Sequence, residues 1–257
     1  MDELIHNLCI GRELQLPASS VDVSNEAELR TLNGKALKSL SQYSDKTSLG
    51  TQLANCVILF AVNVKTERWN NRNQVTEAGE LFKKLICGKK DIENAALDVL
   101  KQNTSVCKKI NQIITKTLKR DSWQKHAVVC QLYFWYCHYL KFPLVSDHLD
   151  VLLPPCLIFM DSYDDGMKLF GLKCLNHLLK ESGQAELLWH NRAQVIYDAL
   201  HKLTYTKSEK LIVLLHPTMI KCLEVFDRDL SKDQVRWALT RWPISFGGRL
   251  LSEVQRT

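Results

Sequence analysis

The chain has 257 residues, 46% hydrophobic and 24% charged, ordinary globular values that exclude disordered, collagenous and mucin-like classes. Its ten Gly and six Pro are about half of the usual share, so long uninterrupted elements are favoured. The formal charge of +6 arises from 34 basic and 28 acidic residues spread along the chain. The nearest approach to a dense basic run, Lys108-Lys109 with Lys116 to Arg120, falls at helical spacing among Ile110, Ile113, Ile114 and Leu118, and reads as a solvated helix face rather than a nucleic-acid patch.

Apolar periodicity predicts helices over Asn25–Gln42, Leu49–Val64, Val75–Cys87, Ile92–Leu118 with a break near Asn103, and Ser122–Lys141. Further helices are predicted over Ser146–Met160, Asp164–Glu181, Gln184–Leu203, Ser208–Phe226 and Lys232–Thr240. Gly88 and Gly183 stand where a terminating glycine is wanted; Ser24, Asp91, Asp121, Ser146 and Asn191 stand where N-caps belong. Cys56–Val64 is β-branched, but no hairpin turn or alternating partner follows it, so it stays with the helices. The most apolar window, Ala127–Leu140, contains Gln131 and His138 and is too short to span a bilayer.

The helices recur at an interval of about 20 residues, a paired period of about 40, which is that of HEAT and armadillo arrays. The expected fold is an all-α, HEAT/armadillo-like solenoid of antiparallel helix pairs. Leu149–Leu157 carries Pro154 in a helix interior, Asp161 ends that helix, and Lys168 and Gly171 stand early in the next. Pro154 would curve the first helix, Gly171 would let the second pack closely, and acid and base could bond between adjacent turns. Leu169, Leu172, Leu175 and Leu179, widened by Phe170, Cys174 and Leu178, form a stripe broad enough for neighbours on two sides.

Nine cysteines, an odd number without a CxxC pair, read as buried free thiols of a reducing compartment. With an acidic N-terminus that does not resemble a signal peptide, the expected location is cytoplasmic or nuclear. No phosphate-binding loop, dinucleotide fingerprint, HExxH or GxSxG occurs, so a nucleotide-binding or hydrolase reading loses its usual footing, and a helical enzyme or metal protein ranks behind an adaptor. His126, Cys130 and Cys137 share a helix face without a fourth ligand, in aromatic surroundings that suit a core. Asp161, Asp164 and Asp165 around Tyr163 lack the EF-hand register and fit an inter-helix turn. No cofactor or metal is expected.

In Asn191-Arg192-Ala193-Gln194, a variant capping box accounts for Asn191 and Gln194, with Val195, Ile196, Ala199, Leu200 and Leu203 as the core face. It does not account for Arg192 or Tyr197, residue types enriched at interface centres. Architecture and partner contact both remain readings of this motif. With Asp161, Tyr163 and Lys168, these four residues (Asn191, Arg192, Gln194, Tyr197) form the candidate partner-binding set; Trp123, Pro154 and Gly171 are the candidate structural positions.

The ordered series Ser122-Trp123, Phe142-Pro143-Leu144, His148-Leu149, Leu152-Leu153-Pro154, Asp161-Ser162-Tyr163, Lys168, Gly171, Cys174-Leu175 and His177, ending in Asn191-Arg192-Ala193-Gln194-Val195-Ile196-Tyr197, resembles the Tel-two-interacting protein two family. The resemblance covers about a third of the chain. It implies a HEAT-type scaffold that is not an enzyme, joined to Tel-two and Tti-one proteins in the triple-T complex. It further implies co-chaperone work with the heat-shock chaperone of the ninety class, supporting stability of phosphatidylinositol-3-kinase-related kinases and hence DNA-damage and growth (TOR) signalling. No direct nucleic-acid or membrane partner is implied. The alternative is a HEAT adaptor of another complex, transport or nucleic-acid associated. The expected organisation is 1–120 as divergent N-terminal repeats, 121–205 as the family-like core, and 206–257 as C-terminal helices and tail. Two departures are Ser162, where the family usually has a second acid before the turn tyrosine, and the short extent after Tyr205.

Overall fold

The computed structural model describes residues 1–16, 23–88 and 90–226. The helix expected over Lys232–Thr240, and the tail with Pro243, Gly247 and Gly248, lie outside the described residues. Thirteen α-helices occur among the described residues, and the only β-type pairing there is an isolated bridge, Leu14 with His126. The all-α, helical-repeat class expected from the sequence is the one formed. Contacts divide the chain into two compact units, Met1–Ile158 and Phe159–Thr257.

The first unit is built around α4 (Leu53–Val62), all ten of whose side chains are buried. This is why its sequence lacks an amphipathic stripe: a helix enclosed on every side has no polar face to show. Packed against it are α1 (Asp2–His6), α2 (Val23–Leu40), α5 (Arg72–Phe82), α7 (Thr104–Thr117) and α8 (Ala127–Tyr139). The chain enters α4 through α3 (Lys46–Leu49) and a 3-10 turn, Gly50–Gln52. The single helix expected over Leu49–Val64 is therefore broken, with Gly50 at φ 47°. Phe60 stacks on Phe82 of α5, centroids 4.0 Å apart, and meets Trp135 of α8 edge-on.

The helix of Val75–Cys87 ends as expected at Gly88, φ 57°, whose amide donates to the Lys83 carbonyl at 3.3 Å and closes a π-type last turn. Asp91 caps α6 (Ile92–Gln102) by accepting from the Asn94 amide at 2.8 Å, and Asn103 separates α6 from α7 at the expected break. The other caps differ. Ser24 lies inside α2, which begins at Val23. Asp121 and Ser146 do not cap: Ser122 precedes a 3-10 turn at Trp123–Lys125, Val145 precedes another at Ser146–His148, and α8 begins only at Ala127. Trp123 is buried in that first turn, and Cys130 Sγ donates to its carbonyl.

The sequence reading contains no element before Asn25, yet α1 and a π-turn, Asn7–Gly11, bury Ile5, Leu8 and Cys9. Five residues cannot sustain a helix by propensity; burial and polar ties hold this one. Asp2 bonds Lys109 of α7 and, at 2.9 Å, the Asn55 amide of α4. The Lys109 ammonium and the Asn55 amide hold its carboxyl down at about 2. Downstream, Leu14 and Leu16 donate to the carbonyls of Lys125 and Gln124, each at 2.7 Å. A polar core joins α2, α4 and the 65–70 loop: Asn33 and Asn63 exchange two side-chain bonds of 2.8 Å, and the Asn70 amide donates to Asn63 at 2.9 Å.

α9 (Leu149–Met160) continues through Pro154 and Pro155. These two remove the amides that would meet the carbonyls of residues 150 and 151, but buried Leu149, Leu152, Leu153, Cys156 and Phe159 hold the helix together. The Tyr133 hydroxyl of α8 donates to the Leu152 carbonyl at 2.6 Å.

In the second unit α13 (Glu209–Phe226) is central, packing against α10 (Asp165–Glu181), α11 (Gln184–Leu188) and α12 (Arg192–Leu203). α10 buries Gly171, Leu172, Cys174, Leu175, Leu178 and Leu179, the broad stripe expected, with Leu169 and Phe170 half-buried at its edge. Gly183 does separate two helices, but in extended conformation (φ −70°, ψ 149°) as the residue before α11, so it is not a left-handed stop. All nine cysteines are buried and free. No described helix is long and apolar enough to cross a membrane.

Candidate partner-binding surface

The α9–α10 turn places Asp161, Tyr163 and Lys168. Asp164 turns its carboxylate inward to cap α10, accepting from the Met167 amide at 2.7 Å, and its own amide donates to Ser162 Oγ at 3.2 Å. With both flanking polar side chains committed to the turn, Tyr163 projects between them and is fully exposed. Lys168 pairs with Asp165 one turn back in its own helix, at 3.1 Å. The bond between adjacent turns thus forms locally, within α10, and Asp161 stays exposed at the surface.

The Asn191 motif is built differently from the expected capping box. The stretch predicted as one helix, Gln184–Leu203, breaks at a 3-10 turn, Trp189–Asn191, where His190 and Asn191 both have left-handed backbones, φ 53° and 58°. Two consecutive non-glycine residues in that region cost roughly 1–2 kcal/mol each. Asn191 precedes α12 but makes no side-chain cap, because its left-handed backbone replaces the extended conformation from which a side chain reaches the N3 amide. Gln194 bonds forward to Asp198 at 2.9 Å. Arg192 Nη1 donates to the Glu186 carbonyl at 2.7 Å, bridging the break and satisfying a carbonyl of α11 that has no helical partner.

Tyr197 is half-buried and starts a file of rings. Its ring lies 6.3 Å from Phe226, perpendicular to it, and 6.0 Å from His201; His201 lies 6.4 Å from Tyr205. Val195, expected in the core face, is 47% exposed, because α12 turns Ala193, Ile196, Leu200 and Leu203 inward instead.

Sequence reasoning missed a set of exposed apolar side chains in the second unit. Beside Tyr163, the second unit exposes Leu188, Trp189 (65%), Val195, Tyr205 (76%), Val213 and Phe226, whereas Val64 and Phe142 are the large apolar side chains exposed among the described residues of the first. The readable signal was the placement of Tyr205 just after a helical run; Trp189 lay inside the helix expected over Gln184–Leu203 and gave none. These exposed side chains are candidate contacts for a partner.

Burial governs the thiols and several of the histidines among the described residues. Burial pushes the thiols of Cys9, Cys56 and Cys222 up to about 12, and Cys130 higher still, which keeps them protonated and poorly nucleophilic. Burial lowers the basicity of His126, His148 and His216. No group of three or more His, Cys, Asp or Glu able to hold a metal exists among the described residues. A cleft of about 530 Å³ lies in the first unit, lined by Lys83, Lys90, Asp91 and Glu93 among others.

The architecture is that of an all-α, helical-repeat protein whose second unit exposes several aromatic side chains. No protein-family profile and no solved structure matches the chain significantly. Three curated relatives do, each named TELO2-interacting protein 2. The rat protein is 32% identical over 113 residues, 44% of this chain and 22% of its own length; the mouse protein is 31% identical over the same extent. The human protein is 27% identical over 157 residues, 61% of this chain and 29% of its own. The chain is thus similar to TELO2-interacting protein 2 over 44–61% of its own residues, and the matches span less than a third of each relative's length.

Proposed function

We propose that the chain is a non-catalytic adaptor whose second unit docks a protein of the Tel-two family, with Tyr163, Trp189 and Tyr205 as anchors. The exposure of these three aromatic side chains in the second unit is the observation that carries this reading. The names of the relatives, which describe proteins that interact with TELO2, support it. On the same reading the chain works in the cytoplasm and nucleus as a subunit of the triple-T complex together with a Tti-one protein. There it serves the heat-shock chaperone of the ninety class in stabilising phosphatidylinositol-3-kinase-related kinases. Co-purification of the tagged chain with a Tel-two protein tests this. Capture by the native chain, lost in Tyr163→Ala/Trp189→Ala at an unchanged melting temperature, is expected; failure of the folded native chain to capture it overturns the proposal.

A further inference from the structure

Residues 99–125 hold seven basic side chains and one acid, Asp121, so 27 residues carry a net charge equal to the +6 of the entire chain. By spacing alone this stretch is a solvated helix face. The structure shows that it is also uncompensated. α7 contains no acid from Thr104 to Thr117; its inward face is Val106, Cys107, Ile110, Ile113, Ile114 and Thr117, and its outward face carries Lys108, Gln112 and Lys116 at successive turns. Lys119 follows just past the helix end, also exposed. Lys108, Lys116 and Lys119 have no ion-pair partner among the described residues, whereas Lys109 is tied to Asp2 and Lys125 to Glu13 at 3.5 Å. Elsewhere in the first unit Lys65 pairs with Glu67 and Lys90 with Asp98, while Lys35 and Lys38 are, like these three, without an ion pair among the described residues; what sets α7 apart is the run of such lysines in a helix that carries no acid.

We propose that this face of α7 binds an acidic segment of a partner protein, its carboxylates pairing with Lys108, Lys116 and Lys119. Lys108 and Lys116 are about 12 Å apart along the helix axis, a span that about four residues of extended peptide cover. Charge complementarity selects an acidic occupant. Its being a protein rather than a nucleic acid follows from the absence of a stacking platform: the one aromatic residue of 99–125, Trp123, is buried, and single strands are held by exposed aromatics as well as charge. The site lies in the first unit, on residues other than the aromatic anchors, so the two surfaces fail or succeed independently.

The test is fluorescence anisotropy of the full chain with a labelled oligoglutamate about eight residues long, enough to overhang the stripe at both ends. Binding that weakens as salt rises is expected, with affinity lowered by about tenfold or more in Lys108→Gln/Lys116→Gln/Lys119→Gln, the combined loss of three exposed pairs. The control Lys35→Gln/Lys38→Gln, on α2, keeps native affinity. Neutral glutamine on exposed positions preserves the fold, which a thermal melt verifies. Absence of oligoglutamate binding, equal loss in the control, or tighter binding of an oligothymidylate of equal charge on the same three lysines overturns the proposal.

Discussion

Replacing Arg192 separates the two readings that its sequence motif leaves open. Its guanidinium donates to the Glu186 carbonyl at 2.7 Å from a partly buried position, across a backbone break held by two left-handed residues. A hydrogen bond from a charged donor contributes about 1.5–3 kcal/mol net. The lower end applies in Arg192→Ala, because the half-buried Glu186 site admits water to the freed carbonyl, so the expected loss is about 1.5 kcal/mol. For a chain of this size that lowers the melting temperature by about 3–6 °C. Arg192→Glu costs more, since a carboxylate then faces the carbonyl that the guanidinium satisfied. Val195→Ala, three residues after Arg192 and exposed, changes stability by less than about 0.5 kcal/mol. Thermal melts followed by far-ultraviolet circular dichroism measure all three. If Arg192→Ala melts within about a degree of the native chain, the bond to Glu186 is not holding the break, and Arg192 returns to the interface reading.

Two further substitutions probe the first unit. Asn63→Asp keeps the size of a side chain that makes four hydrogen bonds but removes its two donations, to Asn33 and to the Leu59 carbonyl. Leaving buried acceptors unpaired costs about 1–3 kcal/mol each, so a loss of about 3 kcal/mol is expected in urea unfolding. Burial raises the folded-state affinity of the new carboxylate for its proton, so the penalty is smallest below its unfolded value of about 3.9 and grows as pH rises; a pH-independent penalty would refute this. For Asp2 the sign is opposite. Its carboxyl is lowered from 3.8 to about 2, so the stability it contributes is complete above 3.8 and is lost as pH falls toward 2. Because its side chain is 66% exposed, the contribution is under about 1 kcal/mol. The stability difference between the native chain and Lys109→Met should shrink across that interval, and a constant difference would mean that Asp2 gains nothing from Lys109.

Most of the helix order was legible because it rests on local rules. Asp91 caps α6 and Gly88 ends the preceding turn at positive φ, each through chemistry contained within a few neighbouring residues. Helix ends governed by tertiary contact were not legible. Nothing in His190-Asn191 demands left-handed backbone; the break there is held by Arg192 reaching back to Glu186, a contact that exists only once α11 and α12 have folded against α13. The same break rotates α12 so that Val195 leaves the core face, which a continuous helix would have kept inside. The N-terminal α1 was invisible for a related reason: its stability comes from Asn55 and Lys109, about 50 and 100 residues away in the sequence.

The candidate surface divides along the same line. The motif residues Arg192 and Gln194 drew attention by being large and polar, but their side chains are occupied within α11–α12, by the Glu186 carbonyl and Asp198. Tyr163 is available because Ser162 and Asp164 are used by the turn that presents it. Trp189 is available because it stands at a strained break where neither α11 nor α12 turns it inward. Rigid polar scaffolding around exposed aromatic anchors lowers the entropy lost on docking, since the anchors need not be ordered by the partner. Arg192 on this view serves binding indirectly, by fixing the break that displays Trp189, so Arg192→Ala should weaken partner capture less than Trp189→Ala does while lowering the melting temperature more.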